Sequence, residues 1–176
     1  SAVRDMRSAS TDKGGRALAA RPHQLREMRE SRRHTLIMPR TSSEARHYLP
    51  AGVLGENCVV SSEAFALFDA PYWQLAILMS KLHLTWIATV CGQLETRYRY
   101  SNVLGWNTFP VPLLTDKNKS DLATCAEGVL TAREAHYPLT VGDLYNPETM
   151  PADLRAARTA RAWSSWRWGW RGWRSR

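Results

Sequence analysis

Cysteine is scarce in this chain: Cys58, Cys91 and Cys125 make three, far apart and odd in number. No Cys-x-x-Cys occurs, so neither zinc-finger spacing nor a disulfide framework is available, and a reduced, cytoplasmic setting is expected. Long apolar runs are also missing. The most apolar stretch, Tyr72 to Cys91, is interrupted by Gln74, Lys81 and His83, which predicts a buried helix and no membrane span. Neither an initiator Met nor a signal peptide precedes Ser1, so a fragment of a longer protein is the expectation. Acidic residues are absent from 154–176 altogether.

What is present is charge, unevenly spread. The 176 residues carry a net +8, with eleven Lys/Arg against five Asp/Glu in residues 1–50. Residues 51–153 reverse the balance to six against eleven, and residues 154–176 hold seven Arg. Two basic ends thus flank an acidic middle. Nucleic acid is the commonest reason for a basic surplus, through phosphate contacts and counterion release. A solvated Arg-rich face accounts for the same charges equally well.

Hydrophobic spacing gives an α+β expectation. A helix is predicted near Pro22 to Arg32, with Pro22 in its first turn. Thr35 to Met38 reads as a strand stopped by Pro39, and Val53-Leu54, Val59-Val60 and Phe65 to Phe68 as further small strands of a mixed sheet. Leu75, Leu78, Leu82 and Trp86 recur at helical steps, predicting one long helix from Tyr72 to about Cys91, ended by Gly92 and capped by Asp69. A second helix is expected over Lys117 to Ala135, burying Leu122, Ala126, Val129 and Leu130. A short last helix, Ala152 to Ala157, begins behind Pro151.

The tail from Ala162 to Arg176 differs in kind, holding five of the eight tryptophans among Arg and Gly. Its composition suits a cationic aromatic segment that binds membranes or single strands. It also suits a shifted reading frame in a GC-rich gene, which is the preferred reading here.

Five short segments then fall into one order. Residues 39–50 read Pro-Arg-Thr-Ser-Ser-Glu-Ala-Arg-His-Tyr-Leu-Pro, and 80–86 read Ser-Lys-Leu-His-Leu-Thr-Trp. Residues 92–101 read Gly-Gln-Leu-Glu-Thr-Arg-Tyr-Arg-Tyr-Ser, and 106–112 read Trp-Asn-Thr-Phe-Pro-Val-Pro. The last, 143–154, reads Asp-Leu-Tyr-Asn-Pro-Glu-Thr-Met-Pro-Ala-Asp-Leu. Together they resemble the C-terminal region of MmeI-like restriction-modification DNA methyltransferases over about residues 3–156. The resemblance implies a target-recognition domain (1–114), a small mixed sheet with helices, then a short helical C-terminal domain (115–157) and an atypical tail (158–176). It further implies double-stranded DNA as partner and an upstream adenine-N6 methyltransferase domain using S-adenosylmethionine. The Asn-Pro-Pro-aromatic motif and Gly-rich cofactor loop of such enzymes are absent from these residues. Catalytic residues, a bound cofactor and a metal are therefore not expected within this chain. Two departures stand out: Gln93 replaces the family's Arg, and from Ala157-Arg158 the pattern diverges.

The resemblance assigns base readout to Glu95 and Arg97. A carboxylate accepts a hydrogen bond from cytosine N4, and a guanidinium forks onto guanine O6 and N7, so the two together suit one C·G pair in the major groove. In an extended strand both side chains share a face, and Arg99 joins them. An ordinary surface ion pair is the competing reading. Arg40, Ser42, Ser43 and Arg46 suit a loop touching the DNA backbone, or else a structural turn in which Glu44 and Arg46 pair. Tyr98 and Tyr100 are expected to face inward. His83 has no second ligand at i+4 and reads as a core histidine with a hydrogen-bond partner. Trp86, Trp106 and Phe109 read as core, and Cys58 and Cys91 as small buried groups. A non-catalytic membrane or interaction protein acting through the Trp/Arg tail is the alternative function.

Overall fold

The computed structural model describes residues 1–26 and 28–159. The Trp/Arg tail, with both readings made of it, lies outside the described residues from 160 onward.

The N-terminal segment holds two short helices, α1 (Ala2–Ser8) and α2 (Lys13–Ala17), and a 3-10 turn. The helix expected over Pro22 to Arg32 is replaced by turns and irregular backbone in the described residues. Leu25 and Met28 stay 50% and 47% exposed, so no apolar face exists there to stabilise a short helix.

β1 (His34–Pro39) is the centre of the first sheet, antiparallel to β3 (Gly52–Gly55) and β4 (Ala64–Phe68). Leu36 and Met38 alternate into the core, Leu36 opposite Val53 and Leu67. Val59-Val60, expected as a strand, lies in irregular backbone. The second sheet has the order β2-β6-β5, from β2 (Thr41–Ser42), β6 (Arg97–Arg99) and β5 (Gln93–Leu94). The α+β class holds; its strands form two three-stranded antiparallel sheets in place of one mixed sheet.

The single long helix expected over 72–91 is two helices, α3 (Tyr72–Leu78) and α4 (Lys81–Val90). Ser80 separates them: its backbone is extended (φ −74°, ψ 150°) and its hydroxyl accepts the His83 N–H at 3.0 Å, which makes it an N-cap. Apolar spacing runs through the break because Leu75 to Met79 are all buried. Asp69 does not cap α3; Pro71 holds that position. With φ +54°, Asp69 instead accepts the backbone N–H groups of Arg32, Arg33 and His34 at 3.0, 2.8 and 3.4 Å. Those bonds, that of Arg32 foremost, hold its carboxyl below the usual carboxylate range. The carboxylate thereby ties the entrance of β1 to the end of β4.

α5 (Asp116–Glu134) starts at Thr115, whose hydroxyl accepts from the Asn118 N–H. Leu122, Cys125, Ala126 and Val129 form its buried face, at the three- and four-residue steps a single stripe requires. α5 packs on α3 and on α7 (Ala152–Thr159), with α6 (Val141–Leu144) between α5 and α7 in sequence. Leu36, Leu78, Leu122, Tyr145 and Leu154 belong to one hydrophobic cluster, so both segments of the chain share a core. Among the described residues no helix is long and apolar enough to cross a membrane, and no group of His, Cys, Asp and Glu could hold a metal ion. Cys58 and Cys91 are half-buried free thiols, and Cys125 is buried.

Candidate nucleic-acid interface

The second sheet brings together the two stretches singled out for DNA contact. Thr41 pairs with Arg99 and Ser42 with Tyr98, while Leu94 pairs with Arg97 across a two-residue turn. The Tyr100 N–H donates to the Arg40 carbonyl at 2.8 Å, which locks the loop to the hairpin beyond the sheet. Residues 40–46 and 93–100 therefore form one platform.

Glu95 is not in an extended strand. It is the first residue of the β5–β6 turn, at φ +58°. Tight hairpin turns put positive φ at this place, where glycine is the usual occupant. A side chain held there carries backbone strain of about 1–3 kcal/mol, a pattern that recurs at functional sites. The pairing with Arg97 survives by another route, since Arg97 Nη2 donates to Glu95 Oε2 at 2.8 Å. Both are open to solvent, with side chains 47% and 76% exposed for Arg97 and Glu95.

Along β6 the alternation is as expected. Arg97 and Arg99 are exposed, Tyr98 is half-buried and Tyr100 is buried. Arg40 is half-buried, reaches the Ser62 carbonyl at 3.2 Å, and lies over the Phe65 ring. Ser42 is only 3% exposed, and its hydroxyl accepts from half-buried Arg46 at 3.5 Å. Ser43 is half-buried, and its hydroxyl accepts the Ala45 N–H. Glu44 does not pair with Arg46: the Thr96 hydroxyl binds its carboxylate and holds its pKa below the usual carboxylate range, with the Arg97 cation adding to the effect. Glu44 and Thr96 join loop to turn, and sequence reasoning missed both. Glu44 was visible within the Pro-Arg-x-Ser-Ser-Glu segment, but only the sheet register puts it beside Thr96.

Behind the platform sits His83, fully buried, with Nε2 3.0 Å from the Tyr100 hydroxyl and its ring 4.7 Å from that of Phe109, edge to face. Burial pushes its pKa down to about 4, and the hydroxyl of Tyr100 up by the same cause. Trp86 and Trp106 pack against the core, and the Trp86 indole N–H donates to the Leu104 carbonyl at 3.3 Å. These groups support β6 from below, which is the structural role expected for them.

An exposed β-hairpin with an acid–arginine tip, backed by a small α+β body and clasped by a helical extension, defines a recognition module. Family models agree. The chain belongs to the MmeI family: its target recognition domain matches residues 1–113, and its C-terminal domain matches residues 114–162. A curated relative, DNA methyltransferase A of Bacillus subtilis (strain 168), is 40% identical over 151 residues, which is 86% of this chain and 17% of that protein. A solved structure of the type IIL restriction-modification enzyme MmeI in complex with DNA superposes with a TM-score of 0.85 at 31% identity. That match covers 95% of this chain and 23% of the MmeI chain. The chain thus spans about a fifth of the length of these relatives.

Proposed function

We propose that this chain reads the DNA sequence for a site-specific adenine-N6 DNA methyltransferase or restriction enzyme whose catalytic domain lies upstream. The observation that carries the reading is the Glu95–Arg97 pair, exposed at a turn where Glu95 holds a glycine-like backbone conformation. Acceptor and fork-shaped donor side by side match cytosine N4 and guanine O6/N7 of one C·G pair. Arg99 extends the same face, and Arg40, Ser43 and Arg46 flank it, with Ser42 buttressing Arg46. The resemblance to a structure determined with DNA supports double-stranded DNA as the partner. With DNA as its partner, the enzyme is placed in the cytoplasm on this reading.

S-adenosylmethionine is assigned to the upstream domain. On this reading methyl transfer takes place elsewhere in the parent.

The test is a paired exchange in the full-length enzyme, Glu95→Lys with Arg97→Asp, followed by sequencing of methylated sites. Reversal of donor and acceptor should change the preferred base pair at one position, by about 1–3 kcal/mol of discrimination. An unchanged methylation motif overturns the readout assignment.

A further inference from the structure

A second charged feature lies away from the hairpin, where the recognition segment meets the helical extension. A cavity of about 180 Å3 opens there between His47, Tyr48 and Lys81 on one side and Tyr145 and Arg155 on the other. His47, Lys81 and Arg155 are exposed at its mouth. Lys81 is also the first residue of α4, whose Ser80 cap accepts the His83 N–H, and its ammonium nitrogen stands 5.4 Å from the Tyr48 ring centroid. No carboxylate lines the cavity.

Its walls conceal more positive charge. Arg158 is 4% exposed, and its guanidinium carbon stands 4.4 Å from the Tyr48 ring centroid and 4.3 Å from that of Tyr145. One of its nitrogens donates to the Met79 carbonyl at 2.8 Å, while Nε and Nη2 have no acceptor among the described residues. Arg133 also approaches Tyr145, 4.9 Å from the ring centroid, and donates to the Tyr145 hydroxyl and to the Ala51 carbonyl. No ion pair to either guanidinium occurs among the described residues. Burial lowers both pKa values, that of Arg133 to about 10, and the Arg133 charge lowers Arg158 further. Charges desolvated without a counter-ion raise a positive potential that a low-dielectric wall focuses into the adjoining cavity.

We propose that this cavity binds a phosphodiester of the duplex, anchoring the DNA backbone at the seam between recognition and helical segments. The proposal rests on the DNA-binding reading above and adds to it a site outside the hairpin. Lys81 and Arg155, the latter turning from the Pro147 and Met150 carbonyls it bonds at 3.5 and 3.4 Å, supply the direct contacts, and Arg133 and Arg158 supply field through the tyrosine walls. The location favours DNA over a carboxylate from elsewhere in the parent. His47 directly follows the loop that pairs with the reading hairpin, and Arg46 of that loop lies against α6, its Nη2 3.9 Å from where a Gly142 Cβ would stand. The proposal places a duplex seated on the platform across this mouth.

The experiment uses the full-length enzyme and a duplex carrying its site, with affinity measured from about 50 to 200 mM salt. Lys81→Gln and Arg155→Gln should each reduce the slope of log affinity against log salt by about 0.9, the value for one lost phosphate contact. Affinity should fall alike for cognate and base-substituted duplexes, and Lys81→Arg should restore it. Lys117→Gln, an equal loss of charge at an exposed helix pair, should leave the slope unchanged. In a series of duplexes with one neutral methylphosphonate each, one position should make Lys81→Gln silent. Slopes equal to that of Lys117→Gln overturn the proposal. So does a lowered unfolding midpoint with an unchanged slope, which would mean a carboxylate of the same polypeptide fills the cavity. Binding of inorganic phosphate at the site without any slope change would mark a free-anion site and equally defeat it. None of these outcomes alters the base-pair preference, which tests Glu95 and Arg97; absence of duplex binding by the unaltered enzyme would sink the underlying reading instead.

Discussion

Arg97 Nη2 stands 2.8 Å from Glu95 Oε2, so the two groups assigned to one base pair already hold each other without DNA. The pair is exposed and worth about 0–1 kcal/mol, so exchanging it for contacts to bases costs little. On the proposed reading it supplies orientation, because side chains already held together lose less rotamer freedom on binding. Thr96 and Glu44 extend the same network to the neighbouring loop.

Strain at the turn should make stability and selectivity oppose each other. Glu95→Gly removes the side chain from a backbone at φ +58°, and should stabilise the fold by about 1 kcal/mol. For a domain of this size that is a rise of about 2–4 °C in Tm. The same change should cut discrimination at one base pair roughly tenfold to a hundredfold. Calorimetry and binding to base-substituted duplexes check the two halves; a fall in Tm would contradict the strain argument.

Acid should destabilise the body of the protein through His83. Its folded pKa of about 4 lies below the ordinary 6.5, so between these values the unfolded chain binds more protons. Stability is then fully present above about pH 6.5 and declines as pH falls toward 4, by on the order of 3 kcal/mol. Urea midpoints measured across that window should slope for the natural chain and flatten for His83→Gln. Parallel profiles would show that other groups control the acid limb.

Arg133 and Tyr145 should behave as one unit. Arg133 Nε lies 3.0 Å from the Tyr145 hydroxyl and its Nη1 2.7 Å from the Ala51 carbonyl, a fork that a single ammonium cannot reproduce. Arg133→Lys and Tyr145→Phe should each cost about 1–3 kcal/mol. The double variant should cost less than the two together, by a coupling of about 0.5–3 kcal/mol. Additive denaturant midpoints would argue that Arg133 acts through Ala51 alone.

Periodicity and motif order made much of this molecule legible. The β1 strand and the α5 helix follow directly from apolar spacing, the inward face of Tyr100 from strand alternation, and the ordered motifs carried the family. Three features escaped for identifiable reasons. The break between α3 and α4 is hidden because apolar residues run unbroken from Leu75 to Met79, leaving Ser80 as the lone cue. The β5–β6 turn is hidden because its positive φ falls on Glu95 and not on glycine, so the segment reads as extended. Arg158 reads as the first residue of a divergent tail, yet it is a deeply buried cation, and only the packing of α7 against Tyr48 and Tyr145 exposes that role. Burial of an unpaired arginine has no local sequence signature.

The core shared by α3 and α5 sets a practical limit on exchanging specificities. Leu122, Ala126 and Val129 press on the same cluster as Leu75 and Leu78, and Arg133 reaches back to Ala51. A chimera spliced near residue 113 would set one half's side chains against a foreign half and leave mismatched surfaces. Transplanting residues 1–159 as a single cassette, or altering the hairpin tip alone, respects the grain of the molecule.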